Sequence, residues 1–169
     1  MVDSSFEGEI SAGRRLARDG DGKASIAFFQ EFVKRHPDDP RAHYELACSF
    51  DREGREEEAV APYKKALALG LPEPHLQGLM VGLGSTLRNV GAYDESVDFL
   101  TRAVERYPDY ADLRVFLAFA KYSAGDHAGA LVEALDVILS TPGIDLHGYD
   151  RAIQWYTDEL RDPNHPPED

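Results

Sequence analysis

The chain has 169 residues, 43% hydrophobic and 29% charged, with a formal net charge of −13 and one cysteine. That length and apolar content fit one domain with a buried core and exclude a chain that is disordered by composition. The acidic balance argues against nucleic-acid and anionic-membrane partners and favours a basic one, while the lone Cys48 excludes an intramolecular disulfide or a zinc site built on cysteines.

The N-terminus, MVDSSFEGEISAGRRLA, has no early basic patch followed by an apolar run, so no secretory signal is expected. No apolar stretch is long enough to span a bilayer. Together with the single cysteine, these features give a cytoplasmic expectation.

Glycine and proline then punctuate the chain evenly. Gly20, Gly54, Gly91 and Gly125 sit in the polar turns RDGDG, REGRE, NVGAY and SAGDH, at spacings of 34, 37 and 34 residues. Each turn joins two helical segments, which places hairpins at about 6–39, 40–72, 73–108 and 109–142. The residues around each turn agree in register. Small residues stand before and after it: Gly13 and Ser25, Ala47 and Ala59, Gly84 and Ser96, Ala118 and Ala130. Leu16, Phe50, Leu87 and Lys121 follow on the first helices, and Phe29, Tyr63, Leu100 and Ala134 on the second. Pro37, Pro72, Pro108 and Pro142 close the hairpins. The small residues mark where the two helices of a hairpin cross, so that the axes approach to the short end of the usual range of about 8–10 Å. A single hairpin cannot bury its own apolar face, so the units stack.

Two stretches fall outside this pattern. LGLPEPH, residues 69–75, carries the three extra residues of the second interval, with Pro74 in the first turn of the third hairpin. After Pro142, Leu146, Tyr149, Ile153, Tyr156 and Leu160 follow a 3,4,3,4 spacing. That spacing predicts an amphipathic helix over 144–161 that caps the last hairpin with its apolar face. Residues 162–169, DPNHPPED, read as a disordered tail, which leaves a single domain over 1–161.

The period, the turns and the paired small residues resemble the tetratricopeptide repeat family over residues 6–142. Within it, GLGSTLRNVGAYDES of the third repeat is similar to a small bacterial subgroup. There are departures: Glu9, His43, Met80 and Arg114 stand where the family carries a bulky aromatic, and Lys121 and Ala134 make the fourth repeat degenerate. The resemblance implies an all-α fold, a right-handed superhelical array of four hairpins plus a C-terminal capping helix. An unrelated helical bundle of four hairpins is the alternative.

The resemblance also implies a concave groove lined by the first helix of each hairpin. Helical spacing then turns Ile10, Arg14, Ala17 and Arg18 toward it from the first hairpin, and Arg41, Tyr44, Glu45, Cys48, Asp51 and Arg52 from the second. The third contributes Gly78, Val81, Gly82, Ser85, Arg88 and Asn89, and the fourth Asp112, Val115, Phe116, Phe119, Tyr122 and Ser123. Arginine with aromatics is the composition of interface hot spots. It points to a peptide with an apolar anchor and a carboxylate that Arg14, Arg18, Arg41 or Arg88 would clasp. The other reading has the aromatics packing on neighbouring helices and the arginines pairing with Glu45 or Asp51. Gly78 and Gly82 lie on one stripe, where either a ligand segment crosses or Tyr44 or Phe116 leans into the gap. Some members of the family clamp a chaperone's C-terminal carboxylate with Lys and Asn. The matching positions here hold Ile10, Arg14, Glu45, Gly78 and Gly82, or in the next register Tyr44, Cys48, Gly82, Asp112 and Phe116, so that clamp is missing.

Chemistry is sparse. GLGS at 82–85 lies inside a helix, not after a strand, and no Lys-Ser/Thr pair follows it. No two of the six histidines form an H-x-x-x-H pair. Asp145, His147 and Asp150 make a weak metal set or a solvated helix start, and Cys48 reads as a small residue at a small-residue site. The expectation is therefore a non-enzymatic, protein- or peptide-binding adaptor or assembly module with no cofactor and no metal. A homo-oligomer formed through the groove or through Trp155 and Tyr156 of the last helix is the second reading, and an enzyme the third.

Overall fold

The computed structural model describes residues 4–162 and 164. Among the described residues it contains nine helices and no strand. The first hairpin stretch holds α1 (Ser4–Arg18) and α2 (Gly22–Arg35), and the second holds α3 (Pro40–Arg52) and α4 (Glu56–Ala68). Next come α5 (His75–Asn89) and α6 (Tyr93–Arg106), then α7 (Ala111–Ser123) and α8 (His127–Ser140), and finally α9 (Asp150–Arg161).

The turn glycines end helices by one mechanism. Gly20, Gly54 and Gly125 adopt φ of 88°, 67° and 90°, which lets the chain fold back without a Cβ clash. The next residue then donates to the carbonyl five residues earlier: Asp21 to Leu16, Arg55 to Phe50 and Asp126 to Lys121, at 2.9–3.0 Å. Gly70 repeats this at the end of α4, where Leu71 donates to Ala66 and is buried at 2% exposure. The residues that lengthen the second interval thus include a helix cap with an apolar plug, and Pro74 stands as the N-cap before α5 rather than inside it. Asp21, Asp39 and Asp126 accept backbone N–H bonds at the starts of α2, α3 and α8.

Contacts group the chain into two compact units, Met1–Val90 and Gly91–Asp169, where the sequence pattern reads as a single domain. In the N-terminal unit α1 packs on α2, α2 on α3, and α3 on α4 and α5. The small residues behave as their spacing demands. A Cβ on Gly13 would lie 2.5 Å from Phe29 Cζ and 2.7 Å from Phe28 Cδ1. Ser25, fully buried, donates to the Gly13 carbonyl at 3.0 Å, so the two backbones are held at the crossing. Ala47 and Ala59 are also fully buried. Around them Ile10, Phe29, Phe32, Phe50, Leu79 and Leu83 make the core.

In the C-terminal unit α6 packs on α7, α7 on α8 and α8 on α9. Lys121, at a core position of the repeat, is matched by a second departure. Its ammonium lies 2.8 Å from Glu133 of α8, and Arg114 of α7 meets the other oxygen of that carboxylate at 3.0 Å. A buried acid placed between two cations replaces an apolar contact.

The last helix differs from its predicted form. It begins at Asp150, not 144, because His147 and Gly148 take φ of 52° and 84° and break the run before it. The apolar stripe is not what it buries. Thr157 is fully buried, while Tyr149 and Tyr156 remain 68% and 58% exposed. Arg161 near the end of this helix meets Asp136 of α8 at 2.9 Å. The disordered tail expected over 162–169 falls, apart from Asp162 and Asn164, outside the described residues.

Adding a methyl group at Gly13 tests the crossing. Overpacking costs about 1–3 kcal/mol against a helix-propensity gain of about 1 kcal/mol. Gly13→Ala should therefore lower the urea midpoint, and an unchanged or higher midpoint would show that the helices are not in contact there.

Candidate functional site

In the N-terminal unit the face predicted to bind is formed by α1, α3 and α5, and most of its groups already have internal partners. Glu45 of α3 is 2% exposed. Arg14 of α1 grips it with two nitrogens, Nε at 2.7 Å and Nη2 at 2.5 Å. This bond holds the Arg14 guanidinium above its ordinary pKa. Arg41 lies 2.8 Å from Glu7 and 3.6 Å from Glu45. Two arginines read as receptors for a ligand carboxylate are thus engaged by the protein's own acids.

The second half of this face is a polar network around Asp51. Tyr63 of α4 donates to Asp51 Oδ2 at 3.0 Å, and Thr86 of α5 donates to Oδ1 at 2.9 Å. The Tyr63 hydroxyl also stands 3.6 Å from Cys48 Sγ. Burial pushes the Cys48 thiol up to about 11, so it stays protonated at neutral pH and is a poor nucleophile. Burial likewise raises Tyr63 and Tyr44, and it holds the Asp51 carboxyl above its usual value against the pull of its two hydroxyl donors.

The glycine stripe is filled from within. A Cβ on Gly78 would lie 2.6 Å from the Tyr44 hydroxyl, and one on Gly82 would lie 2.6 Å from the Tyr63 hydroxyl. Tyr44 at Gly78 is one of the two neighbours the sequence offers. Tyr63 comes from the second helix of a hairpin, and groove-face spacing on the first helices could not point to it. Ser85 bonds within its own helix, to the Gly82 carbonyl at 3.1 Å. Arg88, half-buried, donates to Asn89 at 3.2 Å. Arg18 is exposed and makes no hydrogen bond or ion pair among the described residues.

The C-terminal unit is different. On α7 Phe116 is half-buried, whereas Phe119 is 51% and Tyr122 64% exposed. Phe116 and Phe119 meet edge to face at 6.2 Å, and the Tyr122 ring lies 4.7 Å from that of His127. At the start of the last segment His147 Nδ1 stands 3.1 Å from Asp145. No group of three metal-ligating side chains occurs among the described residues.

The Asp51 network yields a pH prediction. Its proton is held more tightly in the folded chain than in the unfolded one. The stability from this group is therefore complete below the unfolded value of about 3.9 and lost as pH rises through the folded value. Asp51→Asn removes the titration. Denaturant unfolding at pH 7 and pH 4 should show wild type gaining stability relative to the variant on acidification. A difference that stays constant or moves the other way would contradict the burial assigned to this carboxyl.

Comparison with known proteins follows the same lines as the geometry. A family model described as tetratrico peptide repeat matches residues 40–160. Protein FlbA of Caulobacter vibrioides is 28% identical over 131 residues, which is 78% of this chain and 21% of FlbA, so the chain spans about a fifth of that relative's length. MamA, residues 41 to the end, from Desulfovibrio magneticus RS-1 superposes with a TM-score of 0.66 at 17% identity, over 98% of this chain and 100% of that one. YrrB, described as a TPR protein with an unusual peptide-binding site, has a TM-score of 0.66 at 20% identity, over 91% of this chain and 78% of its own. At these identities the likeness is one of fold: the all-α, superhelical hairpin array expected from the repeat is the class to which these structures belong.

Proposed function

We propose that this chain, which belongs to the tetratricopeptide repeat family, is an adaptor or assembly module that binds another polypeptide and performs no chemistry itself. The observation that carries the reading is the exposure of Phe119 and Tyr122 on the first helix of the fourth hairpin. Large aromatics half or more open to solvent on a rigid helix lose little side-chain entropy when covered, and they supply the apolar anchor of an interface. Phe116, packed edge-on against Phe119, would form the floor of the contact. In the N-terminal unit, Arg18, Arg52, Gly78 and Asn89 are the predicted groove residues that stand exposed for further contacts. The internal pairing of Arg14 and Arg41 argues against a ligand carboxylate at those two positions. YrrB, alike in fold, is described as peptide-binding, which supports the class of ligand and not its identity. Among the described residues no helix is long and apolar enough to cross a membrane. The cytoplasm is the setting we propose, consistent with a lone, half-buried cysteine thiol.

A second reading, self-association through α9, is favoured by the exposure of Tyr149 and Tyr156.

Affinity capture from a lysate of the producing cells separates the two. Phe119→Ala combined with Tyr122→Ala should reduce recovery of the wild-type partner by about tenfold or more, the loss expected from removing two hot-spot side chains. The helical content should not change. Recovery of the same partner by both proteins would overturn the α7 contact. Recovery of this chain alone, with a mass that rises with concentration in sedimentation, would favour self-association.

A further inference from the structure

The N-terminal ends of α1, α3 and α5 surround a cleft of about 570 Å³. We infer that this cleft receives a lysine or arginine side chain from a basic, extended segment of the partner. The inference rests on the reading of the chain as a polypeptide-binding module and adds the chemistry of what it binds.

The lining combines apolar and acidic side chains. Phe6 forms one side, and Pro40, Pro72 and Pro74 form others. Glu7, Glu9, Asp39 and Glu73 contribute four carboxylates, against one guanidinium, that of Arg41. Three of the acids have local work. Glu7 holds Arg41, Glu9 holds Arg35, and Asp39 accepts the N–H groups of Arg41 and Ala42 at the start of α3. Glu73 is exposed and makes no hydrogen bond or ion pair among the described residues. Even with Arg35 counted, the rim keeps an excess of negative charge, and the chain's −13 adds to the field. His75 does not offset it. Its own burial first, and Arg41 second, hold the imidazole below its ordinary value, so it is neutral at pH 7.

An anion would find one unpartnered donor here, Arg41 Nε, on a guanidinium whose charge is already met by Glu7 at 2.8 Å and Glu45 at 3.6 Å. The N–H groups that α3 would present are already taken by Asp39, and the three proline nitrogens carry no hydrogen. A long cationic side chain suits both features. Its methylene stem can lie along Phe6 and the proline rings, and its charged head can reach the carboxylates at the rim. The volume falls within the range of ligand pockets, about 300–1,000 Å³, which is room for one or two such side chains and not for a helix.

The probe is a fluorescein-labelled octapeptide of alternating lysine and proline, followed by anisotropy at 0.15 M salt, with an octapeptide of alternating glutamate and proline as reference. The cleft variant is Glu9→Lys with Glu73→Lys. A control, Glu57→Lys with Glu105→Lys, makes the same change in net charge on exposed positions of α4 and α6. Circular dichroism checks that both remain helical. Wild type should bind the lysine peptide and not the glutamate peptide. The cleft variant should bind about tenfold more weakly and the control within about twofold. Equal weakening in both variants, equal binding of both peptides, or no binding of the lysine peptide to wild type would each overturn the inference. The Phe119→Ala/Tyr122→Ala protein keeps this cleft and should bind the lysine peptide as wild type does. If the lysine peptide fails while capture of a partner still depends on Phe119 and Tyr122, the cleft assignment falls and the binding function stands.

Discussion

The structure depends on two helices that cross closely where one of them carries no side chain. At the Gly13–Ser25 crossing the rings of Phe28 and Phe29 fill the space that a Cβ on Gly13 would need, and the Ser25 hydroxyl donates to the Gly13 carbonyl. This contact fixes how α1 is turned about its own axis. One side of α1 is committed to Phe29, so Ile10 goes to the core and Arg14 is carried to the far edge, toward α3. Ala47 and Ala59, both fully buried, occupy the same register in the next hairpin, and Glu45 is thereby turned toward Arg14. A bulky residue at these positions would separate the helices and change where every groove residue points.

The acids that result from this placement are used structurally. Glu45 and Glu133 are buried and Asp51 is half-buried, and each is met by donors from neighbouring helices. Burying such groups costs free energy unless they are paired, and pairing consumes the side chains a ligand would otherwise find. The first-helix face of the N-terminal unit is therefore largely satisfied along its middle and open at its proline-lined end. The α7 face is built from aromatics, which need no such pairing, and remains exposed. An internally bonded polar surface and an exposed aromatic one differ in how much desolvation cost a partner must overcome.

Much of the fold was legible because the repeat is punctuated by residues whose conformations are nearly forced. Turn glycines in the left-handed region, capping aspartates and closing prolines fix helix ends whatever the tertiary context. The site was less legible, and Arg14, Gly82 and Tyr156 show why. Spacing turned Arg14 to the face proposed to bind, but only the structure shows Glu45 within reach. Gly82 invited a ligand because spacing on the first helices says nothing of Tyr63, which arrives from a second helix. Tyr156 belongs to an apolar stripe that periodicity assigns to burial. In the folded chain the buried residue of that helix is instead the small Thr157, beside an ion pair of Arg161 with Asp136. Periodicity finds faces, whereas long-range pairing decides which face is used.

On the proposed function, the α7 aromatics Phe119 and Tyr122 meet another polypeptide. A photoreactive benzoylphenylalanine in place of Tyr122, irradiated in the cells that produce the protein, tests it most directly. The same residue in place of Lys65, exposed on α4, is the reference position. The account predicts a covalent adduct with a second polypeptide from position 122 and none from position 65. An adduct only from position 65, or none from either, would contradict it. An adduct of twice the chain's mass from position 122 would mean that the face binds another copy of the chain and not a separate partner.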